Sequence, residues 1–204
     1  MDSTKYGTYS DTALWNMIRS GDEEAYAYIY KKYARLLFSY GSNFSRDAEL
    51  VKDCIQEIFV RIYQNRSNLG TTNNIRFYLY LALKNEIRQE YRRKSKIPFS
   101  NMDDLPFLSQ YYIEGFSIED EEQQLKLEKV IQILNSLPDR QKEIMYYRFI
   151  EGHSFDEICR LMDLNYQSAQ NLIQRSLKKI RSLFTSSSTF ASFFYTSFVF
   201  FIEK

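Results

Sequence analysis

A run of amide and basic side chains, Gln167, Gln170, Asn171, Gln174, Lys178 and Arg181, recurs at short steps late in the chain. At about 100° per residue these groups share one side of a helix, with Arg175 close by. Ala169, Ile173, Ser176 and Ile180 share the other side, with Leu177 near their edge. From Asn165 to Phe184 there are four basic residues and no acidic one. Gln and Asn can pair bidentately with adenine, and Arg or Lys with guanine or phosphate, so this is the chemistry of a DNA-reading face. An ordinary bundle helix with a solvated polar side would carry the same pattern.

A second basic group lies earlier. Lys84, Arg88 and Arg92 stand four apart beside an apolar face of Leu79, Leu83, Ile87 and Tyr91, and Arg93, Lys94 and Lys96 extend it. Tyr78, Asn85 and Gln89 flank the stripe on its other side. Charges that hold phosphates, next to flat groups that stack on bases, suit a strand of nucleic acid. A solvated cationic helix end that complements the helix dipole explains the same residues. A third group, Asp53, Gln56, Glu57 and Arg61, forms the polar side of another helix. No His, Cys or Ser partner is placed to make those carboxylates catalytic. Such a face meets water or a partner protein, and spacing alone leaves it unassigned.

These groups need helices to position them. Ser10 and Asp11 are capping residues before a short helix ending near Gly21, and Asp22 can cap a helix from about Glu23 to Tyr40. A break is expected at Gly41 to Ser45. A helix from Asp47 to Gln64 follows, with Val51, Ile55, Ile58, Phe59 and Ile62 on one face. A polar loop, Asn65 to Asn74, precedes a helix from Ile75 to Lys94. Farther on, Ser136 and Pro138 mark a helix start, and Gly152 a stop. Ser154 with Glu157 makes a capping box, and Asp163 to Asn165 a short turn before a helix from Tyr166 to Phe184. Asn165 can cap that helix, whose free amides could hold a phosphate. A capped helix, a three-residue turn and a longer helix form a helix-turn-helix, which presents its second helix to the DNA major groove.

Composition narrows the classes. In 204 residues there are three Pro and six Gly, which argues for long helices over a many-turned β chain. The net charge of +1 excludes a simple basic coat on nucleic acid. Cys54 and Cys159 are distant and sit in apolar helical patterns, Cys159 at a small core position; they fit a reduced, cytoplasmic setting. With His153 the single histidine and no paired Cys motif, no metal site is expected, and no cofactor. Residues 97–122 hold seven acidic residues and no Lys or Arg, with Pro98, Pro106 and Gly115, and read as an acidic linker. The expected fold is all-α: two small helical domains, residues 10–96 and 123–184, and a Ser/Phe-rich tail at 185–204.

Taken in order, these segments resemble the extracytoplasmic-function subfamily of bacterial sigma-70 factors over about residues 10 to 184. "GDEEAYAYIYKKY" looks like the opening of sigma domain 2, and "DCIQEIFVRIY" like its D-x-x-Q-E-x-F helix. "FYLYLALKNEIRQEYRR" resembles the promoter-melting helix, and "LNSLPDRQKEIMYYRFIEGHSFDEICRLMDLNYQSAQNLIQRSLKKIR" resembles sigma domain 4. The resemblance implies that Asp53, Gln56, Glu57 and Arg61 contact core RNA polymerase at its β′ clamp helices. It implies that Tyr78, Lys84, Asn85, Arg88 and Arg92, with the loop Asn65 to Asn74, engage the −10 element, where a base of the non-template strand is flipped out. It implies that Gln167, Ser168, Gln170, Asn171, Gln174, Arg175 and Lys178 read the −35 element while the domain rests on the β flap. Regulation by an anti-sigma factor is a further implication; no small-molecule substrate is expected.

The resemblance also offers the acidic linker, including Asp103, Asp104 and Glu119 to Glu122, as a polyanion mimic in the active-site cleft and RNA exit channel; a solvated linker is the plainer account. The sequence departs from the family pattern at Tyr78, where many members have Trp, at Gln89, where many have Asp, and at Asp163, where a turn glycine is usual. Phe190 to Ile202 is nearly all apolar or aromatic and too short to span a bilayer well. It reads as an added packing element or frayed end, or as a contact for an anti-sigma partner or membrane surface. A conventional DNA-binding regulator would leave the first domain unexplained, and no dimer heptad appears. An enzyme would need a nucleophile motif, phosphate loop or metal cluster that is not found. An interaction adaptor would not need two basic surfaces.

Overall fold

The computed structural model describes residues 3–95, 105–108 and 131–182. It divides into two compact units, Met1–Leu108 and Ser109–Lys204. The tail at 185–204 and the linker carboxylates Asp103, Asp104 and Glu119 to Glu122 lie outside the described residues.

In the first unit the helices are α1 Ser3–Gly7, α2 Asp11–Arg19, α3 Glu23–Ser42, α4 Ala48–Gln64 and α5 Ile75–Ser95. A 3₁₀ turn, Arg66–Asn68, follows α4. Short polar side chains start three of these helices by accepting otherwise orphaned N–H groups. Ser10 Oγ accepts from Ala13 N at 3.3 Å, Asp22 Oδ1 from Ala25 N at 2.9 Å, and Asp47 Oδ1 from Leu50 N at 3.1 Å. Asp11, paired with Ser10 as a capping candidate in the sequence, does a different job. Its Oδ2 accepts the Ile75 N–H at 2.8 Å and caps α5 from across the unit.

The break expected at Gly41 begins two residues later. Gly41 is buried inside α3, where a Cβ would stand 2.6 Å from Val51 Cγ1 of α4. The glycine serves close helix approach, not a turn. Leu83 and Ile87 of α5 close on the same point, each 3.4 Å from where that Cβ would stand, and Tyr40 stacks on Tyr80 at 4.0 Å between ring centroids. Each large apolar side chain taken out of water contributes about 1.5–3 kcal/mol before chain entropy opposes it. Trp15, 1% exposed, donates from Nε1 to Gly70 O at 2.8 Å and so pins the loop before α5 to α2.

Part of the expected linker belongs to this unit. Leu105 and Phe107 are buried, the Phe107 ring meets Phe44 edge-on at 5.7 Å, and Leu108 N donates to Asn43 O at 2.7 Å.

The second unit is helical at 131–135, then at α6 Asp139–Met145, which runs into a π-helical turn, Tyr146–Ile150. Pro138 holds the N-cap position of α6, whereas Ser136, expected to mark the same start, ends the preceding helix by donating from Oγ to Ile133 O at 2.7 Å. Gly152, at φ 68°, closes the π turn as its residue type suggested. Helices α7 Phe155–Met162 and α8 Tyr166–Ser182 form the helix-turn-helix. The Ser154–Glu157 capping box is present on both sides. Asp163, in the left-handed region at φ 52°, ψ 52°, turns the chain where the sequence lacks glycine. Cys159 is half-buried at the edge of α7, not in the core position expected for it; Cys54 is fully buried.

Candidate nucleic-acid interface

Helix α8 is fixed in place by its apolar side. Ala169, Ile173, Ser176 and Ile180 are buried against the unit, and Ser176 Oγ donates to Leu172 O at 2.8 Å, so its hydroxyl is satisfied in the core. Asn165 Oδ1 accepts from Ser168 N at 2.8 Å and starts the helix, which places the Ser168 amide in the cap. The opposite side is open. Gln167, Asn171, Gln174, Arg175 and Lys178 are exposed, and Ser168 and Gln170 are half-buried at its edge. Asn171, Gln174, Arg175 and Lys178 line one shallow concavity. Two internal contacts pre-order the face: Gln167 Nε2 donates to Asn171 Oδ1 at 3.1 Å, and Arg175 Nε to Asn171 O at 3.3 Å. The structure therefore brings together the whole set expected on this helix.

Helix α5 is more selective. It is buried over more than half of its circumference, because α2, α3 and α4 all pack on it. Four-residue steps rotate by about 40° on a helix, so Lys84, Arg88 and Arg92 do not stay in line. Lys84 falls in the buried arc. It is 3% exposed, with Nζ 5.4 Å from the Phe44 ring centroid, a cation–π distance. Its place in an exposed basic stripe is thereby corrected. Arg88 lies at the boundary and Arg92 is exposed. Asn85 and Gln89 are exposed on the same side as Arg92.

Beside them is a cavity of about 270 Å³ lined by Ile58, Arg61, Ile62, Asn65, Leu69, Tyr78, Ala82, Asn85, Glu86 and Gln89. Its walls come from α4, α5 and the loop that Trp15 holds. Tyr78 is half-buried against Trp15, with ring centroids 4.7 Å apart, and burial pushes its phenol above the ordinary value. The hydroxyl is consequently a neutral hydrogen-bonding group at neutral pH. Three amides and a phenol around an apolar floor can hold a flat polar ring; nothing there is arranged as a nucleophile with a base. Among the described residues no group of three His, Cys, Asp or Glu could hold a metal ion, and no helix is long and apolar enough to cross a membrane.

On α4, Asp53, Gln56 and Glu57 are exposed, with Val60 44% exposed beyond them. Arg61 differs from this trio. Its guanidinium bonds Glu57 Oε1 at 2.9 Å and Glu86 Oε2 at 2.6 Å, so it ties α4 to α5. Sequence reasoning missed Glu86, whose side chain is 4% exposed. Its position on the apolar side of α5, opposite a basic residue of α4, was the available signal.

The comparisons agree with this arrangement. Residues 29–97 match the model of Sigma-70 region 2, and residues 127–180 that of Sigma-70, region 4; together they span more than half of the chain. An ECF RNA polymerase sigma factor, SigW of Bacillus subtilis, is 22% identical over 80% of this chain and 91% of its own length. The ECF RNA polymerase sigma-E factor of Haemophilus influenzae is 24% identical over 85% of this chain and 94% of its own. The solved structure of CnrH in complex with the cytosolic domain of CnrY shares the fold, with a TM-score of 0.53 at 19% identity over 85% of this chain and 96% of that one. With both regions matched in order on two helical units, the chain belongs to the sigma-70 family, as an extracytoplasmic-function sigma factor that directs promoter-specific initiation of transcription.

Proposed function

We propose the following division of labour. Helix α8 reads the −35 element through Gln167, Gln170, Asn171, Gln174, Arg175 and Lys178, with Ser168 presenting its capped amide end to a phosphate. The side chains that face solvent there are amides and cations without a carboxylate among them, the set that matches base edges and phosphates. That exposed face is the observation that carries the proposal. At the −10 element, Arg88 and Arg92 hold phosphates, while Tyr78, Asn85 and Gln89 receive an extruded base in the cavity they line. Unstacking a base costs a few kcal/mol, which an enclosed ring site and phosphate contacts offset. Lys84 acts from inside the unit by holding α5 against Phe44, not by touching DNA.

Asp53, Gln56 and Glu57 of α4 dock on the β′ clamp helices of core polymerase, with Val60 supplying apolar contact; Arg61 orients Glu57 for that contact. The second unit rests on the β flap. The protein works in the cytoplasm and supplies recognition energy, while the polymerase carries out the chemistry. Likeness to CnrH, solved with the cytosolic domain of CnrY, supports control by an anti-sigma partner.

The test is transcription in vitro with purified chain and core polymerase on sheared DNA from the source genome. Discrete starts sharing two upstream elements are expected. Sequence-specific duplex binding with no core binding and no new starts would replace this reading with that of a conventional regulator.

A further inference from the structure

Tyr166 is the first residue of α8, and its ring is the most open of the large apolar side chains that the described residues expose, at 54%. It is not a loose ring. Tyr166 rests on Phe155, the first residue of α7, with ring centroids 5.2 Å apart and planes tilted by 37°. Phe155 is held in turn by Arg148, whose guanidinium carbon lies 5.2 Å from the Phe155 centroid and whose Nη1 donates to His153 O at 3.2 Å. The starts of the two helices of the helix-turn-helix are thereby joined by a cation and two rings, and the outer ring faces solvent. A tyrosine fixed in this way has little rotamer freedom left to lose on binding.

Its place on the helix gives the open ring a use. At about 100° per residue, Tyr166 stands about 40° round from Gln170, at one rim of the amide face; Arg175 stands at the opposite rim, about 180° away. The N-terminal residues of a recognition helix are the ones that reach base edges. The amides beside Tyr166 match adenine, and every A·T pair also presents the thymine C5-methyl in the same groove, the apolar group on a major-groove edge. We propose that Tyr166 is a specificity-determining residue of the −35 reading, packing its ring on the methyl of a thymine, with Phe155 and Arg148 holding the ring in position. The proposal rests on the assignment of α8 to the −35 element. It adds an apolar contact to a face otherwise made of amides and cations, and so a preference for thymine that hydrogen bonding by the amides does not supply.

The experiment uses holoenzyme formed with full-length chain and the promoter found by mapping transcript starts. Each thymine of the −35 element is replaced singly by deoxyuridine, which removes the methyl and leaves every hydrogen-bonding group in place. Binding is measured by competition against the labelled parent promoter, at several salt concentrations, for wild type, Tyr166→Phe and Tyr166→Ala. Wild type is expected to lose about fourfold in affinity at one thymine, the factor for taking one methyl group out of water. Tyr166→Phe keeps that loss. Tyr166→Ala binds the parent promoter about fourfold more weakly and shows no further loss at that thymine. If Tyr166→Ala loses its helical circular dichroism, Tyr166→Ser takes its place. A uracil penalty that survives in Tyr166→Ala at every position where wild type shows one would overturn the proposal, as would a wild type indifferent to uracil throughout. Equal losses for Tyr166→Phe and Tyr166→Ala, with a flatter salt dependence, would overturn it in favour of a hydroxyl contact to phosphate. Wild-type holoenzyme that binds a promoter with a scrambled −35 element as tightly as the parent would count against the assignment of α8 itself; specific binding with the uracil penalties unchanged in Tyr166→Ala counts against Tyr166 alone.

Discussion

Arg61 on α4 and Glu86 on α5 meet at 2.6 Å, one side chain 45% exposed and the other 4%. The pair joins the helix assigned to polymerase contact to the helix assigned to the −10 element, and both residues line the cavity between them. Among the ion pairs described, Arg61 is the partner of the buried Glu86 side chain. Removing the cation leaves that buried acid without it, which costs more than removing both groups. Arg61→Ala is expected to destabilise the protein by about 2 kcal/mol, and Arg61→Met with Glu86→Leu by less than about 1 kcal/mol. Urea melts of Arg61→Ala and of the double variant check this; equal losses for the two would show that the pair contributes nothing.

Burial separates the basic residues of α5. Arg92→Ala should weaken binding to a −10 strand and flatten its salt dependence by about one phosphate contact. Lys84→Met should leave the salt slope unchanged, because the Nζ lies under the unit's surface against Phe44. Fluorescence anisotropy of a labelled non-template strand, titrated at several salt concentrations with the holoenzyme, distinguishes them. A reduced slope for Lys84→Met would return that residue to the DNA face.

The turn of the helix-turn-helix carries backbone strain at Asp163, φ 52°. Left-handed backbone costs an L-residue about 1 kcal/mol that glycine does not incur. Asp163→Gly is expected to raise the stability of the second unit by about 0.5–1 kcal/mol with no change in −35 binding, measured by thermal melting and by duplex binding. Loss of stability would mean that the Asp side chain supplies more than the turn requires.

Two buried acids give the first unit an alkaline limit. Burial, then nearby Glu86, pushes the Cys54 thiol up to about 12 from an ordinary 9.0; burial, then Asp11, pushes the Tyr33 phenol up to about 12 from 10.0. Both groups bind protons more tightly folded than unfolded. Their contribution is whole below pH 9.0 and is lost as pH rises from there toward about 12. Urea midpoints should hold steady from pH 7 to 9 and fall above that, and Cys54→Ala should flatten the fall. Cys54 should also resist alkylation in the native protein while half-buried Cys159 reacts first.

Most of the helix order was legible because caps and periodicity are local. Asp22 before an apolar run, Ser154 three residues ahead of Glu157, and Gly152 after Ile150 each act within one turn of the chain, and each stands where its residue type placed it. The exposed polar face of α8 was legible for a related reason: a helix packed on one side only exposes the other, so its polar set could be listed from spacing.

Tertiary structure decided what depends on contacts far along the chain. Helix α5 packs against three neighbours, so a stripe drawn four residues apart rotated into the core at Lys84, and Glu86 found its partner 25 residues away on α4. Gly41 looked like a break until α4 came within a methyl group of it. Asp11 looked like a cap for its own helix, yet it caps one that begins 64 residues later. Leu105 to Leu108 read as linker because four residues with a proline show no period; only Phe44, brought to the end of α3, makes them part of the first unit. Periodicity sees one element at a time, and these features are set by the burial that two or more elements create together.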